Sequence, residues 1–157
     1  MSSEKTALYG LLKQQAQALI AQETDLIANM ANLSALLFNQ LPDLNWAGFY
    51  IMRSGELVLG PFQGQVACVR IAVGKGVCGT AVATGQVQLV KDVHEFPGHI
   101  ACDAASNSEI VLPLRHNGNI IAVLDIDSPS LARFDAEDQA GLEQLIGIFE
   151  QHLAATQ

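Results

Sequence analysis

The chain has 157 residues, of which 50% are hydrophobic and 15% are charged, and its formal net charge at pH 7 is −8. This composition excludes a disordered chain and predicts one compact domain over residues 1–157. The negative charge disfavours nucleic acid and anionic lipid as partners, and no apolar run approaches the roughly 20 residues of a membrane span.

The first elements in chain order are predicted to be two helices and a hairpin. Apolar residues recur at helical spacing across residues 5–41, and Thr24 or Asp25 is placed to cap the second of two amphipathic helices. Alternating patterns then predict strands over 45–53 and 56–62. The Ser-Gly pair between them is typical of a tight hairpin turn.

Shorter elements follow. Apolar segments at 66–71 and 86–93 predict two further strands, and residues 76–84 between them predict a short helix. Segments 110–115 and 119–127 flank an Asn-Gly pair, which is the strongest short-range signal for a hairpin.

The C-terminal segment predicts a last helix. Asp135 and Asp138 form a capping-box-like start, and apolar residues continue at helical spacing to Leu153. Helices at both ends of a sheet built from hairpins indicate an α+β fold. Residues 93–107 show no periodicity, and loops of that length inside a compact domain are uncommon unless they are functional.

Three cysteines, Cys68, Cys78 and Cys102, lie in segments rich in turn-forming residues. A thiol on a loop can be reached by a substrate, although free cysteine also commonly serves as a small buried hydrophobe. The wide spacing lacks the close ligand pairs of structural zinc sites, so no metal is expected. The N-terminus has no export signal, which predicts a cytoplasmic protein whose cysteines are not structural disulfides.

Three carboxylates form a second candidate group. The strand period of two places Asp125 and Asp127 on one face, with Leu124 and Ile126 on the other, and Glu109 can join the two aspartates across the sheet. The acids either are solvated where the strand ends or bind a cationic group such as a substrate amine. One of them can also be held protonated by its neighbours and serve as an acid.

Aromatic and histidine residues complete the candidates. Trp46 and Tyr50 share one face of the first strand, where they either wall a pocket or fill the core. His94 and His99 flank a Phe-Pro-Gly turn and can lower the pKa of a nearby thiol, but loop histidines are more often surface residues.

Seven segments, in order, resemble the free methionine-(R)-sulfoxide reductases, which are single GAF domains. The resemblance covers nearly the whole chain, from the opening helices to the last one, and the seven segments include all three cysteines. Ala122 departs from the pattern, since glycine is expected there, but it removes no chemical group. The segments are NWAGFY at 45–50, LGPFQG at 59–64, ACVRI at 67–71, GKGVCG at 74–79, FPGHIACD at 96–103, SEIV at 108–111 and VLDIDS at 123–128.

The resemblance implies a GAF-like central antiparallel sheet of about six strands with helices on both faces. It also implies that the R epimer of free methionine sulfoxide is the substrate and that the protein is a homodimer without a cofactor. Cys102 would attack the sulfoxide sulfur while Glu109 or one of the two aspartates supplies a proton. Cys68 would resolve the resulting sulfenic acid, with Cys78 as a backup or relay, and a thioredoxin-like dithiol would reopen the disulfide.

Two alternatives remain open at the level of sequence. A non-catalytic GAF sensor would use the same pocket to bind a small ligand or to report oxidation of its cysteines. A hydrolase or acyltransferase would combine Cys102, His99 and an aspartate, but the imidazole would have to reach the thiol across one short loop, and Cys68 and Cys78 would have no role.

Overall fold

The computed structural model describes residues 3–99 and 105–157, and over these residues six strands and four α-helices follow one another in α+β order. The sequence bounds predicted for the helices are confirmed within a few residues. The elements are α1 (Ser3–Ile20), α2 (Leu26–Gln40), β1 (Trp46–Arg53), β2 (Glu56–Gly64), β3 (Arg70–Ala72), α3 (Gly76–Thr84), β4 (Gln88–Val90), β5 (Ser108–His116), β6 (Asn119–Ser128) and α4 (Ala136–Thr156).

The strands form one antiparallel sheet in the order β3-β2-β1-β6-β5-β4. The two predicted hairpins, β1–β2 and β5–β6, are its central pairs, and β1 and β6 lie side by side at its middle. The predicted sheet of about six antiparallel strands is therefore confirmed.

The hairpin turns have the backbone that their sequences predict. Ser54 and Gly55 have φ of 52° and 83°, and Asn117 and Gly118 have φ of 53° and 80°. Positive φ at both central residues is the requirement of a type I′ turn, whose twist matches that of the flanking strands. Each turn thus sets the register of its hairpin.

Helices cover both faces of the sheet, as predicted. Helices α2 and α4 pack on one face, and α1 packs on both of them. Helix α3 covers part of the other face, where a second and smaller hydrophobic cluster lies. Ala122 is fully buried in the larger cluster, so its methyl group packs in the core and lies away from the face that α3 covers.

The predicted helix starts are also confirmed. Asp25, the second of the two candidate caps, accepts a hydrogen bond from the backbone N–H of Ala28 at 2.8 Å. Asp135 and Asp138 form the capping box that begins α4. Among the described residues, no helix is long and apolar enough to cross a membrane.

Two predicted strands are shorter than expected. The strand predicted over residues 66–71 is only β3, and the one predicted over 86–93 is only β4. Val66 and Val69 are exposed at 85% and 61%, so their side chains do not join the core that the pattern implied. Both short strands lie at the edges of the sheet. An edge strand has a neighbour on one side only, so its length is limited to the part that pairs with that single neighbour.

Candidate functional site

A narrow pocket lies between α3 and the face of the sheet that α3 covers. Its volume is about 40 Å³. A buried water needs roughly 10–15 Å³ of such volume, so the pocket has room for a few waters. That size suits part of a small molecule and excludes a folded macromolecule. The residues lining it are Trp46, Tyr50, Ala67, Ile71, Lys75, Gly76, Val77, Cys78, His99, Ser106, Glu109, Asp125 and Asp127.

The sheet register brings the three predicted carboxylates together. Glu109 pairs with Asp127 across β5 and β6, and Asp125 is two residues earlier on the same face of β6. Their exposed fractions are only 7% for Glu109, 5% for Asp125 and 9% for Asp127. The solvated alternative for these acids is therefore wrong, because α3 and the loops beside it cover the face on which they lie.

Burial changes the acidity of this cluster. The pKa of Glu109 is raised well above its usual value, first because burial penalises the charged form and then because Asp125 and Asp127 are negatively charged neighbours. Burial also raises the pKa of Asp125, although hydrogen bonding from Glu109 opposes the shift. At least one carboxyl of the cluster therefore keeps its proton to a higher pH than an exposed carboxyl does.

The thiol of Cys78 faces the same cluster. Cys78 belongs to the first turn of α3 and is 4% exposed. Its pKa is raised well above the usual value by burial and then by the charges of Asp125 and Glu109. Cys78 is therefore a protonated thiol in this state, with little of the thiolate character that nucleophilic attack requires.

Trp46 and Tyr50 both line the pocket and anchor the segment that carries Cys68. The Trp46 indole N–H donates to the carbonyl of Gln65 at 3.1 Å, and the Tyr50 hydroxyl donates to the carbonyl of Cys68 at 2.8 Å. The two rings stack with centroids 5.9 Å apart. They are core residues and pocket walls at once, so the two alternatives drawn from the sequence do not exclude each other.

Cys68 is half-buried in the loop before β3 and is disulfide-bonded. Cys78 is a free thiol. Cys102, which the family resemblance implies as the nucleophile, lies outside the described residues. Among the described residues, only Cys78 of the predicted cysteines lines the pocket itself.

Three pocket residues had little or no support from the sequence. His99 lines the pocket, and its pKa is lowered by burial and then by the charge of His94. Lys75 precedes α3 at the pocket edge, and Ser106 accepts a hydrogen bond from the side chain of Asn45 at 3.0 Å. Lys75 belongs to the GKGVCG segment, which was the only sequence signal that marked it. His99 thus lies in the wall of the pocket and is half-buried, whereas His94 is exposed and pairs with Asp92 at 3.0 Å.

Comparisons with known proteins point in one direction. A family model described as GAF domain matches residues 28–154. The free methionine-R-sulfoxide reductase of Escherichia coli strain K12 is 60% identical over 152 residues, which cover 97% of this chain and 92% of that protein.

Solved structures agree with the sequence comparisons. The free methionine-R-sulfoxide reductase from Neisseria meningitidis in complex with its substrate superimposes with a TM-score of 0.94 at 46% identity, covering 99% of this chain and 94% of that one. The fRMsr of Staphylococcus aureus in complex with substrate gives 0.90 at 54% identity, covering 93% and 95%.

Proposed function

The chain belongs to the free methionine-R-sulfoxide reductases of the GAF-domain family, and on that premise we propose that it reduces free methionine-R-sulfoxide to methionine with its own cysteine thiols. The buried cluster of Glu109, Asp125 and Asp127 carries this proposal. It offers both a proton for the sulfoxide oxygen and negative charge for an ammonium group. A free amino acid has that ammonium group, whereas a methionine inside a protein does not.

The first step uses the thiolate of Cys102, which attacks the sulfoxide sulfur. A carboxylic acid protonates the oxygen, and the protonated oxygen then transfers from that sulfur to the Cys102 sulfur as the bond between the two sulfurs breaks. The oxygen ends on Cys102 as a sulfenic acid, and methionine leaves. The thiol is thereby oxidised by two electrons and the sulfoxide is reduced by two.

Glu109 is our choice for the proton donor. Burial and two neighbouring aspartates raise its pKa, so it holds a proton where an exposed glutamic acid would have lost it. Asp125 and Asp127 then face the ammonium group of the substrate. Trp46 and Tyr50 wall the apolar side of the pocket, where the S-methyl group would pack.

Cys68 is our choice for the resolving thiol. It condenses with the Cys102 sulfenic acid to a disulfide and releases water, and an external dithiol then reduces that disulfide. Two facts support this choice: Cys68 is disulfide-bonded, and Cys78 is a free thiol with a raised pKa. The same facts disfavour Cys78 as the resolver.

The reductant and the assembly are part of the same proposal. We propose that a thioredoxin-like dithiol protein in the cytoplasm recycles the disulfide, because a catalytic disulfide needs a reducing compartment. We also propose a homodimer built on the first two helices, which expose the apolar side chains of Leu11, Leu19 and Ile27.

The test is an anaerobic incubation of the purified protein with each epimer of free methionine sulfoxide and a small dithiol, with methionine measured by chromatography. We expect methionine from the R epimer alone. Cys102→Ser should abolish it, and peptide-bound methionine sulfoxide should give none. No turnover of either epimer by the fully reduced protein would contradict the proposal and favour a ligand-binding sensor.

A cysteine comparison separates the reductase from a hydrolase. With a thioredoxin-like protein as the only reductant, Cys68→Ser should stop turnover after about one methionine per chain, because the sulfenic acid forms no disulfide for that protein to reduce. A Cys102-dependent activity that is indifferent to Cys68→Ser and to the dithiol would instead support acyl transfer.

A further inference from the structure

Three potential metal ligands converge at the inner end of the pocket. The Sγ atom of Cys78 and one carboxylate oxygen each from Glu109 and Asp125 all lie within 4.8 Å of one another. All three residues are buried. They come from α3, β5 and β6, so it is the packing of the helix on the sheet that brings them together.

The spacing fits a small divalent cation. Zinc binds sulfur at about 2.3 Å and carboxylate oxygen at about 2.0–2.2 Å in tetrahedral geometry, so its ligand atoms lie roughly 3.3–3.7 Å apart. Small side-chain rotations would bring the three atoms within that range. One sulfur with two oxygens favours a borderline or soft cation over magnesium or calcium, which prefer oxygen ligands alone.

A second observation points to a ligand at this place. The Oδ1 atom of Asp125 is buried, and no described residue donates a hydrogen bond to it. Asp125 is 5% exposed and lines the pocket. A buried carboxylate oxygen without a donor is costly, and a bound cation would remove that cost.

We propose that Cys78, Glu109 and Asp125 form a binding site for a thiophilic divalent cation such as Zn²⁺. The ion replaces the proton of the thiol and any proton on the carboxyl groups, and these protons pass to solvent. Its remaining coordination positions face the pocket and take water. This site differs from the structural zinc site that the spacing of the three cysteines disfavoured, because it uses a single thiol.

Bound metal would occupy the place proposed for the ammonium group of the substrate. The cation site thus predicts that zinc inhibits the enzyme in competition with methionine sulfoxide. This consequence rests on the proposed function. The binding itself does not, since it depends only on the three ligands.

The direct experiment is a titration with Cd²⁺ alone, followed by the sulfur-to-metal charge-transfer absorbance in the ultraviolet. The protein is first oxidised, without added thiol, until the denatured chain contains one free thiol. Cys78 is then the sulfur whose binding of Cd²⁺ gives the absorbance band. We expect the band to saturate at one equivalent and Zn²⁺ to displace Cd²⁺. The band should be absent in the Cys78→Ala variant. The circular dichroism spectrum of this variant should match that of the natural protein, which shows that it has folded.

A matched pair of glutamate variants tests the oxygen ligands and does not depend on the cysteine variant folding. Glu109→Gln should weaken Cd²⁺ binding by at least about tenfold. Glu143→Gln, which removes the same charge from an exposed position on α4, should change it less than about twofold. No band in the oxidised protein, an unchanged band in Cys78→Ala, or equal effects of the two glutamine variants would each overturn the site.

Kinetics distinguish failure of the site from failure of the proposed function. Zinc that raises KM for methionine sulfoxide without changing kcat, reversibly on chelation, supports one shared pocket. Cd²⁺ binding by the oxidised protein together with zinc-insensitive turnover would uphold the metal site and contradict our placement of the substrate beside Glu109 and Asp125.

Discussion

At the scale of single residues, the buried carboxyl of Glu109 is the group that most closely couples stability to activity. Because its pKa is raised in the folded protein, the native state holds this proton more tightly than the unfolded chain does. The stabilisation is complete below the unfolded pKa of about 4.3 and is lost as pH rises through the folded pKa. The residue thus lowers stability at neutral pH, and its proposed role as an acid depends on the same raised pKa.

Replacing this carboxyl by an amide should separate the two effects. We expect Glu109→Gln to become increasingly more stable than the natural protein as pH rises above about 4.3, by about 1.4 kcal/mol for each unit between the two pKa values. Its kcat/KM should fall by at least about 10²-fold because the amide donates no proton. Urea unfolding across a pH series and steady-state kinetics measure the two quantities.

Glu143→Gln serves as the control for this prediction, since Glu143 is exposed on α4. It should show neither trend. A stability difference for Glu109→Gln that does not change with pH would mean that Glu109 keeps an ordinary pKa, and undiminished activity would transfer the role of acid to Asp125 or Asp127.

At the scale of elements, the contact between α1 and α4 depends on a glycine. A Cβ atom added at Gly141 would overlap the ring of Tyr9, whereas one added at Gly147 would meet nothing within 4 Å. The Tyr9 hydroxyl also donates to Oδ1 of Asp138 at 2.8 Å, which fixes the ring in place. Close approach of the two helices therefore requires the absence of a side chain at Gly141.

Two alanine substitutions on the same helix should consequently act in opposite directions. Gly141→Ala should lower the free energy of unfolding by about 1–3 kcal/mol, because overpacking outweighs the gain in helix propensity. Gly147→Ala should raise it by about 0.5–1 kcal/mol through that propensity alone. Thermal or urea unfolding gives both values. A stabilising effect of Gly141→Ala would show that Tyr9 can move aside at little cost.

At the scale of the whole molecule, the first two helices expose apolar side chains that the core does not use. Leu11 and Leu19 on α1 are 49% and 41% exposed, and Ile27 on α2 is 44% exposed. Apolar area exposed on neighbouring elements is a common feature of subunit interfaces. The pocket, in contrast, lies on the opposite side of the sheet, under α3.

Charges on this surface should therefore alter the assembly and leave the chemistry intact. We expect the natural protein to have the mass of two chains by light scattering. The double variant Leu11→Asp and Leu19→Asp should have the mass of one, with its near-ultraviolet spectrum retained. Leu131→Asp, at a 60% exposed leucine on a loop, is the matched control and should not change the mass. A natural protein with the mass of one chain would contradict the homodimer.

The sequence by itself determined the local structure and named the acidic and aromatic side chains that line the pocket. Helical periodicity, the caps at Asp25 and Asp135 and the two hairpin turns depend on interactions between residues close in the chain, so they could be read directly. The period of two likewise placed Asp125 and Asp127 on one face of a strand. The seven family segments added the proposed chemistry, including the choice of Cys102 as the nucleophile, a residue that lies outside the described residues.

Only the tertiary structure decided how these parts meet. The packing of α3 on the sheet placed Cys78 against Glu109 and Asp125. These residues are distant in sequence, so their mutual effect on pKa cannot be predicted from hydrophobic periodicity. The strand predicted over residues 66–71 is shorter because its apolar residues depended on a pairing partner and a covering layer that the fold does not supply there. Local patterns report what a segment can form, whereas burial and pairing depend on which surfaces remain available once the rest of the chain has folded.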